Sequence, residues 1–259
     1  MQSKAPDCPA VKGFIETSFV DWKGCLSSVV FLGGCNFRCP FCHNRDLVLN
    51  PGGLEDVPIE YVVATIRKYR TQWVDRIVVT GGEPTIHKNL YRLMGLLKSE
   101  GMKVKLDTNG SNPSVMKGLV GDGLVDSIAM DVKGPLDRYS RWCGINVDDR
   151  KVEESIEFIL SSGIDHYFRM TVVPFLHREE DVYAVARYLQ GAKDFIVQTF
   201  RPDVTLNTAF SRIRPFSPDR MDRIKANVTN IMSGVSIREE ERGPELSIAG
   251  RTDQDNLYS

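Results

Sequence analysis

The sequence of 259 residues predicts an α/β protein built on a parallel sheet, which is either open and doubly wound or curled into a partial or full barrel. Short apolar runs alternate along the chain with stretches of helical periodicity. Each apolar run is followed by a polar or glycine-rich segment. The sequence shows no internal repeat and no low-complexity linker, which favours a single domain.

Six strands are predicted from the apolar runs. The first run, SSVVFLG, is rich in β-branched residues and ends at Gly33 and Gly34, and the second run, RIVVT, ends at Gly81 and Gly82. The other four are interpreted as strands within the same alternation with helices. The predicted strands cover residues 27–33, 76–80, 103–106, 125–130, 166–173 and 194–200.

Helices are predicted after the strands from apolar residues that recur on one face. Pro58 suits a first helical turn, and Ile59, Val62 and Ile66 follow it at helical spacing. The later helical stretches cover residues 87–100, 112–119, 152–160, 179–189 and 218–232. We expect a lead-in segment over residues 1–24, a core domain over residues 25–238 and a polar tail over residues 239–259.

Composition excludes several classes of protein. The chain has 33 Lys and Arg against 34 Asp and Glu, so its net charge of -1 gives no reason to expect a nucleic-acid or anionic-membrane partner. The N-terminus does not resemble a secretory signal, and no apolar run approaches the roughly 18 residues of a membrane helix. We therefore expect a cytoplasmic protein, in which clustered cysteines act as ligands or catalytic groups rather than as disulfide partners.

The segments after the strands carry the unusual residues. Turn formation alone explains the glycine, asparagine and proline of any one such segment. Six consecutive strands that each end in such a segment favour a shared pocket, because the carboxyl ends of parallel strands meet at one edge of the sheet. In chain order the segments are GGCNFRCPFCHN, TGGEPT, DTNGSNP, MDVKGP, TVVP and QTFRP.

Three of the six cysteines, Cys35, Cys39 and Cys42, form a CxxxCxxC pattern that lets three thiolates face a common centre. A zinc site would need a fourth ligand, and His43 is adjacent to Cys42, but neighbouring ligands suit tetrahedral geometry poorly. A nucleophilic cysteine would need only one thiol and a base. An iron-sulfur cubane held by three cysteines would leave one iron open for catalysis.

The loop CNFRCPFC at residues 35–42, with aromatic Phe41 before the third cysteine, resembles the cluster loop of the radical S-adenosylmethionine (SAM) superfamily. The segments HN, GGEP, DTNG and DVK at residues 43–44, 81–84, 107–110 and 131–133 resemble the activating enzymes of glycyl radical enzymes. The segments TSFVD at 17–21 and QTFRP at 198–202 are most similar to anaerobic ribonucleoside-triphosphate reductase activating proteins. The resemblance runs over residues 11–235.

The resemblance implies a partial (βα)6 TIM-like barrel of the radical SAM type, so that residues 25–238 would be a radical SAM core domain. It also implies that Cys35, Cys39 and Cys42 hold a 4Fe-4S cluster whose fourth iron is chelated by SAM. One electron, from a donor such as flavodoxin or ferredoxin, would cleave SAM to a 5′-deoxyadenosyl radical. That radical would take a hydrogen atom from a backbone glycine of the partner, which would be a glycyl radical enzyme such as anaerobic ribonucleotide reductase.

The same resemblance assigns SAM contacts. Gly81 and Gly82 would allow close backbone approach, and Glu83 would accept a hydrogen bond from the SAM ammonium. Asp131 would take a ribose hydroxyl, and Lys133 would pair with the methionyl carboxylate. The remaining expected contacts are Phe41, neutral hydrogen bonds from Thr108 and Asn109, and an apolar wall at Val172 and Val173.

Other interpretations of these side chains stay open. Asp107 and Asp131 could instead form a small cation site with Thr108 and the Met130 carbonyl, or Asp107 could be a turn former. Valines at strand ends also suit plain core packing. The remaining cysteines and histidines are likewise expected to have no role in the site. The exception is His43, which we expect to orient the cluster loop or to form a hydrogen bond with a sulfur. Cys8, Cys25 and Cys143 are interpreted as bystanders, and His87, His166 and His177 as residues without ligand spacing.

Three functions follow from these patterns. The first is a radical SAM activase for a glycyl radical enzyme. The second is a radical SAM enzyme acting on a small molecule, such as a deazapurine-forming synthase, which would need a closed polar cavity. The third is a zinc-bearing binding module without catalysis, which metal analysis would distinguish from an iron-sulfur protein.

Overall fold

The computed structural model describes residues 7–70 and 73–234, and its centre is one seven-stranded sheet in the order β1-β2-β3-β4-β5-β6-β7. β1 and β2 are antiparallel, and every later neighbour is parallel. The α/β class and the partial barrel are therefore confirmed. The strands are β1 Val11–Trp22, β2 Cys25–Leu32, β3 Arg76–Gly81, β4 Lys103–Thr108, β5 Ser127–Asp131, β6 Asp165–Val172 and β7 Phe195–Thr199.

Eight α-helices lie in the described part of the chain, and most follow a strand as the alternating pattern predicts. Two short helices, α1 and α5, were not predicted. The helices are α1 Arg45–Leu49, α2 Ile59–Arg70, α3 Leu90–Ser99, α4 Pro113–Gly121, α5 Tyr139–Cys143, α6 Asp149–Ser161, α7 Glu179–Tyr188 and α8 Pro218–Met232. None of the helices in the described ranges is long and apolar enough to cross a membrane.

The two faces of the sheet carry different side chains because strand residues alternate. One face, which includes Val30 and Val79, joins the main apolar core with the helices. The other face lines the barrel interior, where Trp22, Val29 and Val78 form a small separate apolar cluster. The register then continues along this inner face to polar residues, starting with Lys105 opposite Val78.

The six-strand prediction was incomplete because β1 lies in the segment expected to be a lead-in. β1 has mixed polarity and is largely half-exposed, so it lacks the apolar run that marks the other strands. The predicted tail over residues 239–259 lies outside the described residues. The division of the chain at residues 24 and 239 stays a prediction.

β1 and β7 are the two edge strands of the sheet. Lys23, in the turn after β1, forms an ion pair with Asp194, which directly precedes β7. This pair joins the two edges at the end of the barrel where the parallel strands begin. Asp21 of β1 and Gln198 of β7 both line a cavity inside the barrel.

Candidate active site

A cavity of about 400 Å³ lies where the parallel strands end, and it gathers most of the residues that the sequence singled out. Side chains from β1, from β7 and from the strands between them reach its wall, as expected for a parallel α/β sheet. Glu83, Val172 and Val173 are the predicted site residues that are not among its lining. The predicted residues that do line it are Cys35, Cys39, Phe41, Cys42, Gly81, Gly82, Thr108, Asn109, Asp131 and Lys133.

The cysteine loop is fixed by hydrogen bonds to several surrounding segments. These bonds come from the chain after the loop, from the GGEP segment, from α5 and from the segment after β7. Because both ends and the middle of the loop are held, its shape is set by protein contacts. The bonds are Gly34 N to Leu47 O (2.7 Å), Glu83 N to Gly34 O (2.8 Å), Arg38 N to Cys143 O (2.8 Å), Asn207 N to Pro40 O (2.9 Å) and Asn44 Nδ2 to Gly81 O (2.6 Å).

Gly81 and Gly82 are required by the packing of the GGEP segment on the cysteine loop. A Cβ at Gly82 would lie 1.8 Å from the carbonyl oxygen of Gly34. Gly81 has a φ of +122°, and a Cβ there would lie 2.2 Å from the carbonyl oxygen of Leu32. These glycines therefore allow close backbone approach between two protein segments, in addition to lining the cavity.

The cysteine loop packs against helix α5. Phe37 packs edge-on against Tyr139, and a Cβ at Gly144 would lie 2.3 Å from the carbonyl oxygen of Arg38. Cys143 is fully buried, and its thiol is hydrogen-bonded to Cys39. Burial in the apolar core agrees with the interpretation of Cys143 as a small hydrophobe, and the contact with a motif cysteine was not foreseen. Sequence reasoning missed it because Cys143 is about a hundred residues from the motif.

Burial and hydrogen bonding set the protonation of the cysteines. Burial raises the pKa of Cys35 to about 12 and also raises that of Cys42. The hydrogen bond from Cys143 lowers the pKa of Cys39, and burial raises the pKa of Cys143 itself. A metal that binds Cys35 and Cys42 must therefore displace their protons.

A buried histidine, His177, connects the loop after β5 with the loop after β6. Its Nε2 donates to the carbonyl oxygen of Lys133 (2.8 Å), and its Nδ1 accepts from the backbone N–H of Val173 (3.0 Å). Its ring stacks on Trp142, with centroids 4.7 Å apart, and meets Phe41 edge-on at 6.1 Å. Burial lowers the pKa of His177 to about 4, so the neutral ring holds Lys133 in place.

A chain of alternating charges crosses the inner face of the barrel. Arg169 is its centre, because Nη1 bonds Asp107 Oδ2 (3.0 Å) and Nε bonds Asp131 Oδ1 (2.8 Å). Lys105 pairs with Asp107 at one end, and Lys133 pairs with Asp131 (3.3 Å) at the other. Burial alone would raise the pKa of Asp131, but the two cations lower it to about 2.

These ion pairs argue against one alternative interpretation and add two residues to the site. The alternative interpretation placed a small cation between Asp107 and Asp131, but the guanidinium of Arg169 bridges these two carboxylates. Sequence reasoning missed Arg169 and Lys105. The available signal was a charged residue in the middle of a predicted strand, at an inward-facing position.

Glu83 lies behind the cavity wall and is fully buried. Its Oε1 accepts hydrogen bonds from Thr85 N (3.0 Å), Thr85 Oγ1 (2.5 Å) and Thr108 Oγ1 (2.8 Å), and its Oε2 accepts from Asn109 N (2.6 Å). Burial raises its pKa, and these bonds oppose that shift. Glu83 thus clamps the GGEP and DTNG segments together, and its direct contact with the SAM ammonium stays a prediction.

The remaining predicted residues occupy distinct positions. Asn109 Nδ2 donates to Asn36 Oδ1 (3.0 Å), which ties the DTNG segment to the cysteine loop. Val172 is buried in β6. His43 Nε2 lies 2.7 Å from the carbonyl oxygen of Arg201, and its ring stacks on Phe200, so His43 fixes the end of the cysteine loop. The exposed Arg201 side chain pairs with Asp203.

Comparison with known proteins settles the family. A family model described as the radical SAM superfamily matches residues 29–189. The chain belongs to the radical SAM superfamily. Proteins of this superfamily use a 4Fe-4S cluster and SAM, so the zinc-bearing binding module is excluded as the function of the cysteine loop. Within the described residues, no group of three or more His, Cys, Asp or Glu side chains is placed to hold a single metal ion.

Two proteins are similar in sequence, and a third, of known structure, shares the fold. A Methanocaldococcus jannaschii protein, provisionally assigned as a glycyl-radical enzyme activating enzyme, is 30% identical over 208 residues, which cover 78% of this chain and 85% of that protein. The 7-carboxy-7-deazaguanine synthase of Neisseria meningitidis is 38% identical over 85 residues, which cover 33% of this chain and 36% of the synthase. The structure of Streptococcus suis SuiB bound to S-adenosylmethionine aligns with a TM-score of 0.60 at 16% identity, covering 78% of this chain and 46% of SuiB.

The residues of this radical SAM protein fit the cofactors of its family. Three thiols from one fixed loop line the cavity beside Lys133, whose cation suits a carboxylate. Burial opposes the charge of Lys133, but Asp131 raises its pKa, so the ammonium stays charged. Three soft thiolate donors are the ligand set that an iron-sulfur cluster uses when one iron is left for another ligand.

Proposed function

We propose that this chain is an activating enzyme that installs a glycyl radical on a partner enzyme, with anaerobic ribonucleotide reductase as the partner. The observation that carries the proposal is the similarity to a glycyl-radical enzyme activating enzyme over 85% of that protein's length. The TSFVD and QTFRP segments, which resemble the ribonucleotide reductase branch, support this partner.

The residues of the cavity divide the work of such an enzyme. When bound, the cluster and SAM supply the radical that removes a hydrogen atom from glycine. Cys35, Cys39 and Cys42 would hold the cluster, and Lys133 would orient SAM through its carboxylate. Asp131 is kept ionised by Arg169 and Lys133, so it can accept a hydrogen bond from a ribose hydroxyl.

The open edge of the barrel suits a polypeptide substrate. Asp21 and Gln198 line the cavity from the two edge strands, so both edges of the sheet border it. On β1, Phe19 and Val20 are 78% and 86% exposed. Neighbouring exposed apolar side chains beside a cavity are typical of protein interaction sites. These features favour a macromolecular substrate over a small one.

The test uses the full chain, reconstituted anaerobically with iron and sulfide, then reduced and given SAM. We expect 5′-deoxyadenosine and a glycyl radical signal on anaerobic ribonucleotide reductase in electron paramagnetic resonance. The double variant Phe19→Ser, Val20→Ser should weaken activation of the partner while SAM cleavage without partner stays unchanged. SAM cleavage without a glycyl radical on any candidate partner would contradict the proposal.

A second candidate function is deazapurine formation. It is favoured by the similarity to 7-carboxy-7-deazaguanine synthase, which is 38% identical over 85 residues. That similarity covers only a third of this chain, whereas the similarity to the activating enzyme covers most of it. Incubation with the synthase substrate separates the two. Deazapurine product without glycyl radical formation would assign the chain to the synthase.

A further inference from the structure

Three polar residues form a closed ring of hydrogen bonds beside Cys35, the first cysteine of the loop. Asn36 Nδ2 donates to Ser111 Oγ (2.8 Å), the backbone N–H of Ser111 donates to Asn109 Oδ1 (2.9 Å), and Asn109 Nδ2 donates to Asn36 Oδ1 (3.0 Å). We call these three residues the asparagine ring. It connects the residue that follows Cys35 with the DTNG segment that follows β4.

The asparagine ring fixes which end of the Asn109 amide faces Cys35. A backbone N–H can only donate, so the N–H of Ser111 requires the amide oxygen on its side. The Nδ2 group of Asn109 therefore faces the cysteine loop, where it lies 4.0 Å from the Cys35 sulfur, within hydrogen-bond distance for a sulfur acceptor. Asn109 is buried, so its amide has little freedom to turn towards water.

The sulfur of Cys35 thus receives two N–H groups of different origin. The N–H of Phe37, 3.3 Å from the sulfur, belongs to the backbone of the cysteine loop itself. The Nδ2 group of Asn109 comes from the end of another strand and is held in place by the asparagine ring. Asn36 is exposed and lies outside the lining of the cavity, so it acts on the sulfur through Asn109.

N–H groups next to the sulfur ligands affect a cluster that gains an electron. Reduction adds one negative charge to the cluster and its thiolates. The positive end of an N–H dipole stabilises that charge, so hydrogen bonds to the sulfurs make reduction more favourable. Cys35 and Asn109 line the same cavity, which places the amide on the side of the sulfur where the cluster would lie.

We propose that the asparagine ring raises the reduction potential of the cluster. Asn109 donates to the sulfur of Cys35, and Asn36 is the positioning residue that holds Asn109. In the reduction the cluster gains one electron from an external reductant, and no bond forms or breaks. This role concerns the cluster of the radical SAM family alone, so it is independent of the partner enzyme.

The test measures the midpoint potential of the cluster in the full chain, reconstituted anaerobically with iron and sulfide, without SAM and without partner enzyme. The chain is titrated with dithionite and photoreduced 5-deazariboflavin, and the reduced cluster is followed by electron paramagnetic resonance. For Asn109→Ala we expect the equilibrium constant for reduction to fall about tenfold, which makes the potential about 59 mV more negative for one electron. For Asn36→Ala we expect a fall of about threefold, because the N–H of Ser111 still holds one end of the Asn109 amide.

Two comparisons separate this role from a merely structural one. Because Asn36 acts through Asn109, adding Asn36→Ala to Asn109→Ala should shift the potential no further. The matched control is Asn112→Ala, which removes a side-chain bond of 3.0 Å to Thr85 Oγ1, next to the DTNG segment but away from the cysteine loop, and should leave the potential unchanged. Ser111→Ala removes only the hydroxyl that accepts from Asn36. It should lower the equilibrium constant about twofold, and it serves if Asn109→Ala misfolds.

Iron and sulfide are measured in every variant, so that the potentials compare fully loaded chains. An unchanged potential in Asn109→Ala or Asn36→Ala, an equal shift in Asn112→Ala, or additive shifts in the double variant would overturn the inference. The expected potentials in a chain that makes no glycyl radical would contradict only the proposed function.

Discussion

His177 gives the fold a calculable dependence on pH. Its burial lowers the pKa to about 4 from 6.5, because a proton on Nδ1 would face the N–H of Val173 and would have to be desolvated. Between these values the unfolded chain binds the proton and the folded chain does not, so stability is lost as the pH falls from 6.5 towards 4. From pH 7 to pH 5 the free energy of unfolding should drop by about 2 kcal/mol from this residue alone.

Urea denaturation of the cluster-free chain at pH 7 and pH 5 measures this drop. His177→Gln should be less stable at pH 7, since it loses the geometry of both bonds, but its pH dependence should be smaller by about 2 kcal/mol. Nuclear magnetic resonance of the His177 ring provides a direct check. A ring that titrates near 6.5 in the folded protein, or a variant with the same pH dependence as the unaltered chain, would refute the reasoning.

Three further predictions follow from packing and charge. Gly82→Ala should lower the amount of iron bound per chain after reconstitution, because the new methyl group collides with the cysteine loop. The control is Gly95→Ala in α3, where a methyl group meets open space. It should bind as much iron as the unaltered chain and raise the free energy of unfolding by about 0.5–1 kcal/mol. Arg169→Met should cost about 3 kcal/mol in urea denaturation, since two carboxylates lose their shared cation. Glu83→Gln should cost about 1–3 kcal/mol, because an amide NH₂ cannot accept the bond from Asn109 N.

Each of these has a result that would count against it. Equal iron content in the two glycine variants would show that the loop yields to a methyl group. A loss below about 1 kcal/mol for Arg169→Met would mean that water replaces the guanidinium at little cost. Unchanged stability of Glu83→Gln would show that the clamp between the GGEP and DTNG segments does not depend on a carboxylate.

The parallel part of the fold could be predicted because its strands are buried on both faces. Such strands appear in sequence as short apolar runs, and their order fixes the position of the ligand edge. β1 could not be found in the same way, since an edge strand with one exposed side has a mixed pattern. Helix α5 has five residues, too few for periodicity to show.

Site residues were predicted where several of them lie close together in the sequence. They were missed where their role depends on contacts with residues far away in the sequence. The three cysteines and the GGEP and DTNG segments are local patterns. Arg169, His177 and Cys143 act through contacts with other strands and loops, so only the fold shows their neighbours. In the sequence, Lys105 and Arg169 each show only as a charged residue at an inward-facing strand position. That pattern does not indicate which residue each of them pairs with.

The fixed shape of the cysteine loop bears on how the protein is assembled and maintained. Because hydrogen bonds from several segments already hold the loop, the chain should reach its native fold before any iron arrives, unlike small domains that fold only around their metal. A cluster destroyed by oxygen would leave its binding site in place. Repair would then require delivery of iron and sulfide alone, and one polypeptide could be recharged many times over its lifetime.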